Sequence, residues 1–427
     1  MSPGTEQAPT DAIARASASE ASDVSPSSPS SAIAMDATSG VNLHALDALR
    51  GGLAIYVLAH HSRWLLWEGM SAWRETAHSS WASALATLGA VFRGGHEAVM
   101  IFFALSGFFI HLRTAAALAT GAADSLSIPT FFRRRARRLV PPYLLALVLT
   151  AGLDLIGMTF WPILYAGKTG DPLIDPVMSR SGYSLLSLLP ALWLLPASWG
   201  YNFGTNGPLW SLAYEIVYYV LYPAWRSLRL KSLSVAYLLI PFACLLISAM
   251  AQNAWLLHVL SHWTVWLAGA FTAELLMKGS RRVPVGLAAV SLTLLSVGIL
   301  ISPFPEPIPL LGRCGLGAGI VAFVANLPQT ANRLSILRGF EWLGLRSYTI
   351  YIVHMPWLVL ASAFLFEHGG RPASGWLALV AVPLVVLVCL PLFEACERRW
   401  LHPRLTLSGK PSPHPHLQPS HATASVS

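Results

Sequence analysis

The stretch LDALRGGLAIYVLAHHSRW, residues 46–64, predicts a membrane-spanning helix that carries ionisable groups, among them Arg50 and His61. It is largely apolar and approaches the roughly 20 residues that cross a bilayer as a helix. Arg50 and His61 are eleven residues apart, so on a helix they share one face, with His61 roughly 16 Å further along. An ionisable group at that depth usually faces the interior of a helix bundle. His61 is therefore a candidate proton acceptor, and Arg50 a candidate anion-binding group. A packing histidine and an ordinary interfacial arginine are the alternatives.

The composition is typical of an integral membrane protein. Of its 427 residues, 54% are hydrophobic and only 11% are charged, whereas soluble domains carry roughly 25% charged residues. This disfavours a soluble enzyme, a secreted disulfide scaffold and a disordered protein. The net charge of +8 does not indicate nucleic-acid binding, because the basic residues stand in short clusters between apolar stretches. Clusters in such positions set topology and contact anionic lipids.

We predict an all-α integral membrane protein with about ten transmembrane helices and with both termini on the inner side (N-in, C-in). The predicted spans lie near 47–67, 96–118, 139–160, 207–225, 232–251, 258–277, 284–302, 308–327, 342–366 and 376–396. With this orientation 21 of the 28 Lys and Arg residues fall on the inner side, as the positive-inside rule favours. The stretch 184–206 is apolar but broken by Pro and Gly, so we expect a re-entrant or interfacial segment. For the stretch 79–93 a full span and an interfacial segment are both open interpretations.

The chain divides into three predicted parts. Residues 1–41 are rich in Ala, Ser and Pro and are expected to form a disordered cytoplasmic tail. Residues 42–402 form the transmembrane domain, and residues 403–427 a second disordered cytoplasmic tail. None of the four cysteines forms a CxxC pair, and Cys389 and Cys396 are too far apart on one helix to bridge. We therefore predict no disulfide and no metal site.

The stretch FFRRRARRLVPPY, residues 131–143, opens a predicted span with a basic cluster. Arg134 and Arg135 each lie about one helical turn from Arg138. Their forked donors suit phosphate recognition. A positive-inside anchor is the competing interpretation.

Three further stretches place polar groups inside predicted spans. GHEAVMIFFALSGFFI, residues 95–110, carries Ser106 beside a glycine, where small residues let helices approach closely. NGPLWSLAYEIVYYVLYP, residues 206–223, carries Ser211 and Glu215 on one face. An acid within an apolar helix is costly unless it is paired or protonated. Glu215 is expected to orient a base, hold a substrate hydroxyl or form a structural ion pair with an arginine.

The last polar stretch is RSYTIYIVHMPW, residues 346–357. Ser347, Tyr351 and His354 step at i, i+4 and i+7, which makes a polar stripe along one helix face. Such a stripe lines either an interhelical hydrogen-bond network or a cavity.

Together these five stretches resemble the membrane acyltransferase-3 family, from about residue 43 to 402. LDALRG with His61 is similar to the family's Arg–ten residues–His motif, and FFALSGFFI (102–110) to its second-helix motif. RRARRLVPPY (134–143) resembles its arginine motif, WSLAYE (210–215) its Trp-Ser-Leu segment ending in an acid, and SYTIYIVH (347–354) its late Ser-Tyr-Tyr-His segment. The chain departs from the family at Met100 and Ile216, where acids are common.

The resemblance implies a multi-pass enzyme of the cell inner (plasma) membrane. It would transfer an acyl group, most often acetyl, from cytoplasmic acyl-CoA to a hydroxyl of an envelope or exported carbohydrate or a related acceptor. The catalytic residues would be His61 and Glu215. The phosphates of the donor would be bound by Arg50, Arg134, Arg135 and Arg138. The expected substrate-binding residues are Ser106, Trp210, Ser211, Tyr351 and His354.

The alternative from another class is a membrane transporter of an acylated or glycan intermediate, without chemistry. Polar stripes and intramembrane charges suit transport as well. Acyl-CoA discriminates the two, since a pure transporter neither binds it nor releases CoA.

Overall fold

The computed structural model describes residues 40–69, 89, 91–122, 126–250, 254–279, 282–302 and 308–398. Both predicted tails lie outside the described residues, apart from residues 40 and 41, and so does most of the stretch 79–93. The described chain is overwhelmingly helical, and its one small sheet is the parallel pair β1 (Ser181–Gly182) and β2 (Asn202–Phe203).

The helices follow one another along the chain with few long connections. They are α1 (Leu43–Leu66), α2 (Gly95–Thr120), α3 (Ile128–Phe160), α4 (Pro162–Tyr165), α5 (Asp175–Met178), α6 (Leu185–Leu192), α7 (Trp210–Lys231), α8 (Ile240–Met250), α9 (Ala254–Lys278), α10 (Arg282–Ile301), α11 (Ile308–Ala325), α12 (Ser335–Gly344), α13 (Ser347–Glu367) and α14 (Trp376–Cys396). Short 3₁₀ turns at Gly207–Leu209 and Gln329–Arg333 and a π-helical turn at Val235–Leu239 complete the set.

Five of the described helices, α2, α3, α11, α13 and α14, are long and apolar enough to cross a membrane. The expectation of a helical membrane protein is thereby confirmed. The number of ten spans and the N-in, C-in orientation stay predictions.

Two predicted helices have different bounds in the structure. α3 begins at Ile128 rather than near 139, because Pro129 fits the first turn of a helix and the arginine cluster continues it. The predicted span 342–366 is two helices, α12 and α13. They separate where Gly344 packs against α1 so closely that a Cβ there would lie 1.8 Å from the carbonyl oxygen of Asp47.

The stretch 184–206 forms the short helix α6 and strand β2 rather than a span. Asp154 of α3, only 1% exposed, holds this segment. Its carboxylate accepts hydrogen bonds from Thr205 N at 2.8 Å and Oγ1 at 2.6 Å, and from the Tyr183 hydroxyl at 2.7 Å. The backbone of this proline-interrupted segment is thus supported by protein contacts rather than by its own helix.

Close backbone contact joins α2 to α9. A Cβ at Gly107 would lie 1.9 Å from the Trp266 carbonyl oxygen, and one at Gly269 would lie 1.8 Å from that of Ala104. A side chain at either position would force the helices apart, as the small residue beside Ser106 suggested. α1 contacts α2, α11, α12, α13 and α14. Five helices therefore pack around α1.

Candidate active site

A pair of histidines joins α1 to α13. His61 Nδ1 lies 2.8 Å from His354 Nε2, and the two ring planes lie within 23° of parallel with centroids 5.0 Å apart. His354 is 1% exposed. The pair brings together two residues that are 293 positions apart in the chain.

The hydrogen bonds fix which nitrogens of this pair carry protons. His354 Nδ1 lies 2.7 Å from the carbonyl oxygen of Tyr351. A carbonyl oxygen only accepts, so this nitrogen is the donor. In the neutral imidazole His354 Nε2 is then the acceptor, and it receives the proton of His61 Nδ1. This leaves Nε2 of His61 with an unprotonated lone pair.

The neighbouring His60 has a different environment. Its Nδ1 lies 2.9 Å from the backbone carbonyl oxygen of Phe92, and its ring meets the His61 ring edge-on at 5.2 Å. No hydrogen bond between His60 and His354 is found in the described chain. Only His61 of the two is oriented by a second histidine.

Glu215 of α7 accepts hydrogen bonds from hydroxyl groups of α2 and of α7. Ser106 Oγ donates to its Oε1 at 2.7 Å, the Tyr219 hydroxyl donates to the same oxygen, and Trp266 Nε1 donates to Ser106 Oγ at 3.2 Å. No hydrogen bond joins Glu215 to His61 among the residues described. The structure therefore gives the orienting contact with His61 to His354 and groups Glu215 with Ser106.

The remaining predicted substrate-binding residues form a layer next to the histidines. Ser211 Oγ and the Tyr351 hydroxyl are 2.7 Å apart, and the Tyr351 ring lies 5.9 Å from that of His354. The Trp210 ring stacks on His96 with centroids 5.9 Å apart. The structure thus brings Ser211, Tyr351 and His354 together. Trp210 precedes Ser211 in the chain.

Three of the four predicted phosphate-binding arginines share one region, which we call the arginine cluster: Arg50, Arg135 and Arg138. Arg50 Nη1 donates to Asp47 Oδ1 at 3.4 Å, and Arg50 also feels the positive charge of Arg138 and the negative charges of Glu397 and Glu215. The Arg135 guanidinium lies 5.7 Å from the Phe131 ring centroid and 5.6 Å from that of Tyr219, and it also feels Arg138 and Glu215. Arg134 is exposed.

The structure adds Glu397, which sequence reasoning missed. It follows α14, is fully buried and accepts hydrogen bonds on Oε2 from Thr349 N at 3.2 Å and from Thr349 Oγ1 at 2.5 Å. Its other oxygen, Oε1, has no hydrogen-bond partner within the described chain. Burial raises the pKa of Glu397 above its usual value and outweighs the lowering by the positive charges of Arg138 and Arg50 and by the Thr349 hydrogen bonds. Its one signal in the sequence is an acid at the end of the last apolar run.

A second buried charge group, which we call the glutamate network, was also missed: Glu274, Arg229, His111 and Tyr237. Glu274 is 2% exposed and accepts hydrogen bonds from Arg229 Nε at 2.6 Å and from the Tyr237 hydroxyl at 2.9 Å. Arg229 also donates to its second oxygen, and His111 Nε2 lies 3.0 Å from Oε1. The network ties α2, α7 and α9 together and has a partner for each carboxylate oxygen.

The comparison with known families decides the class of this chain. A family model described as an acyltransferase domain, the acyltransferase-3 type, matches residues 43–394. The chain belongs to this acyltransferase family. The resemblance inferred from the five motifs is confirmed, and the protein is a membrane acyltransferase.

Curated relatives of the acyltransferase carry names of the same kind. This chain is 27% identical over 288 residues to Acyltransferase MdmB of Streptomyces mycarofaciens, and the alignment covers 61% of this chain and 67% of that protein. It is 25% identical over 351 residues to Peptidoglycan O-acetyltransferase OatA of Listeria monocytogenes serovar 1/2a, covering 75% of this chain. The alignment spans only 50% of that relative. No solved structure matches the chain significantly.

Proposed function

We propose that this acyltransferase moves an acyl group, most simply acetyl, from acyl-CoA to a hydroxyl group of a carbohydrate or related acceptor. The observation that carries the proposal is the histidine pair, whose hydrogen bonds leave an unprotonated nitrogen on His61. A transporter needs no such base, so the pair favours chemistry over transport.

The arginine cluster supports a donor that carries phosphates. Arg50, Arg135 and Arg138 bring together three guanidinium groups on two helices, and guanidinium groups bind phosphate in a fork geometry. Arg50 and His61 are separated by roughly 16 Å along α1. A donor held at both points therefore needs phosphates at one end and a thioester at the end of a long arm, as acyl-CoA has.

The proposed reaction uses His61 as the general base. Nε2 of His61 takes the proton of the acceptor hydroxyl while that oxygen attacks the thioester carbonyl carbon. The carbon–sulfur bond then breaks, and His61 returns the proton to the departing CoA thiolate. His354 acts as a positioning residue, because it holds Nδ1 of His61 as the donor throughout. General base catalysis of this kind typically contributes about 10²–10⁴ in rate.

We place the arginine cluster at the cytoplasmic face of the inner membrane, the side on which acyl-CoA is found. Both termini are placed on the same side. The positive-inside bias of the sequence supports this orientation. The acceptor then reaches His61 from the opposite face. A relative named a peptidoglycan O-acetyltransferase supports an envelope carbohydrate as the acceptor.

The test is acetyl-CoA turnover by purified protein in nanodiscs, followed as release of free thiol. We expect release by the wild type and a loss of at least about 10²-fold in His61→Ala. His60→Ala is the matched control, because His60 is the adjacent histidine but is bonded to a backbone carbonyl, and it should keep most of the activity.

Two outcomes would contradict the proposal. Equal activity in folded His61→Ala and wild-type protein would remove His61 from the chemistry. Absence of both binding and thiol release with every acyl-CoA tried, in folded wild-type protein, would make transport the better reading.

A further inference from the structure

Glu215 is a carboxylate inside the apolar bundle, and only one of its two oxygens is held by the fold. Oε1 accepts hydrogen bonds from Ser106 Oγ at 2.7 Å and from the Tyr219 hydroxyl. Oε2 accepts none within the described chain, yet it is not among the enclosed polar atoms that lack a partner there. An acid inside a membrane bundle is costly unless it is paired. Oε2 is therefore an acceptor that a ligand can reach.

Glu215 lies between the two parts of the proposed site. Ser211, Glu215 and Tyr219 follow one another at i, i+4 and i+8 along one face of α7, about 6 Å apart at each step. Ser211 Oγ lies 2.7 Å from the Tyr351 hydroxyl, in the layer next to the histidine pair. At the other end the Tyr219 ring centroid lies 5.6 Å from the guanidinium of Arg135 in the arginine cluster. A ligand that reaches from the arginines to His61 passes Glu215 on its way.

The residues around Glu215 leave room for such a ligand. Ser106, Glu215 and Tyr351 lie on three different helices and away from the helix ends, yet each is only partly buried. The Phe102 ring, one turn before Ser106 on α2, lies 6.0 Å from the Tyr351 ring and is also partly buried. The exposed parts of these side chains indicate a gap between α2, α7 and α13, with apolar rings and a carboxylate oxygen on its wall.

The chemistry of this wall matches the arm of CoA. Pantetheine, the arm between the phosphates and the sulfur, consists of short carbon chains joined by two secondary amides. Inside the bundle an amide N–H without an acceptor costs free energy, because no bulk water is there to replace one. A carboxylate oxygen is a strong acceptor for it, since hydrogen bonds to an ionised group are shorter and stronger than neutral ones.

We propose that Glu215 Oε2 accepts a hydrogen bond from an amide N–H of the pantetheine arm and so positions the thioester at His61. In this role Glu215 binds the donor and transfers no proton, so His61 remains the base. Ser106 and Tyr219 hold Oε1 and thereby aim Oε2 into the gap. The inference rests on the proposed function, since it takes acyl-CoA to be the donor.

The test compares two ligands that differ only by the arm. CoA has it, and 3′-phospho-ADP is the nucleotide part of CoA without it. In Glu215→Gln the remaining oxygen can still accept from Ser106 and Tyr219, but an NH₂ group replaces Oε2. Because hydrogen bonds to charged groups are among the strong ones, we expect CoA to bind about 10–100-fold more weakly. The affinity for 3′-phospho-ADP should change by less than about twofold.

Two further variants make the comparison decisive. Glu215→Met has a similar length but no acceptor in any rotamer, so it should lose CoA affinity at least as strongly. The matched control is Tyr218→Phe, the neighbouring tyrosine on α7, whose hydroxyl donates to the Val259 carbonyl oxygen at 3.0 Å. It should lower the melting temperature and leave both affinities unchanged. Isothermal titration in nanodiscs gives the affinities, with melting temperatures recorded on the same preparations.

A loss of affinity for CoA but not for 3′-phospho-ADP, in folded Glu215→Gln or Glu215→Met, supports the inference. Unchanged CoA affinity in both variants overturns it, even if kcat falls, because Glu215 would then act on the acceptor or on His61. Equal losses for both ligands overturn it as well, since such an effect does not depend on the arm. Failure of the wild type itself to bind CoA would instead overturn the proposed donor, and the inference with it.

Discussion

Two buried charge groups lie side by side in this bundle, and they differ in how completely their charges are paired. In the glutamate network both carboxylate oxygens of Glu274 are bonded to partners on α2, α7 and the turn before α8. In the arginine cluster Arg50 pairs with Asp47 at 3.4 Å, whereas Arg135 and Arg138 form no ion pair within the described residues, and nearby Glu397 has one oxygen without a hydrogen-bond partner there. The rings of Phe131 and Tyr222, 5.6 Å apart, lie between the two.

The completeness of pairing distinguishes a structural site from a ligand site inside a membrane bundle. Both groups are unusual in an apolar chain, and sequence alone would rank them alike. A network whose members satisfy one another has nothing left to offer a ligand. A cluster in which Arg135 and Arg138 form no ion pair within the described residues still has donors to offer a ligand.

The largest expected effect comes from breaking the glutamate network. Glu274→Ala leaves Arg229 buried without its carboxylate, which typically costs about 3–5 kcal/mol. We expect a large drop in the yield of folded protein and in melting temperature. A variant that melts like the wild type would show that the network is not structural, and the contrast between the two groups would fail.

Removing a charge from the arginine cluster should affect binding rather than folding. Arg138→Gln should raise the KM for acetyl-CoA about 10–100-fold, since hydrogen bonds to charged groups contribute about 1.5–3 kcal/mol. The melting temperature should stay close to that of the wild type. Steady-state kinetics and thermal unfolding on the same preparation separate the two effects, and a normal KM would move the donor away from this cluster.

The smallest effect is expected at Arg134. This arginine belongs to the same sequence motif but is exposed in the structure. Arg134→Gln should therefore change the KM for acetyl-CoA by less than about twofold, as an exposed charge is strongly screened. Kinetics at low and physiological salt would check this, and an effect equal to that of Arg138→Gln would mean that the motif acts as a whole.

The sequence predicts most helices and several site residues, but it does not predict which side chains contact each other between helices. The apolar runs predict most helices because the bilayer imposes their length, and the eleven-residue spacing places Arg50 and His61 on one face. The break at Gly344 depends on a close contact with Asp47 of α1, which no local pattern contains. The partner of His61 could not be predicted either, because His354 is far away in the chain. The only local mark of Glu397 is its place at the end of the last apolar run, and its burial, which results from the packing of α13 and α14, could not be predicted from that.

The central claim is that a donor bound at the arginine cluster presents its acyl end to His61. Bromoacetyl-CoA tests it directly on His61→Cys, because a cysteine thiolate at that position displaces bromide and forms a stable thioether. His60→Cys is the matched control, and peptide mass spectrometry separates adducts on the introduced cysteine from any on Cys244, Cys314, Cys389 or Cys396.

We expect far more modification at position 61 of His61→Cys than at position 60 of His60→Cys. Excess CoA should protect the His61→Cys protein, and adding Arg138→Gln should abolish its modification. Equal modification at both positions, or modification that neither CoA nor Arg138→Gln reduces, would contradict it.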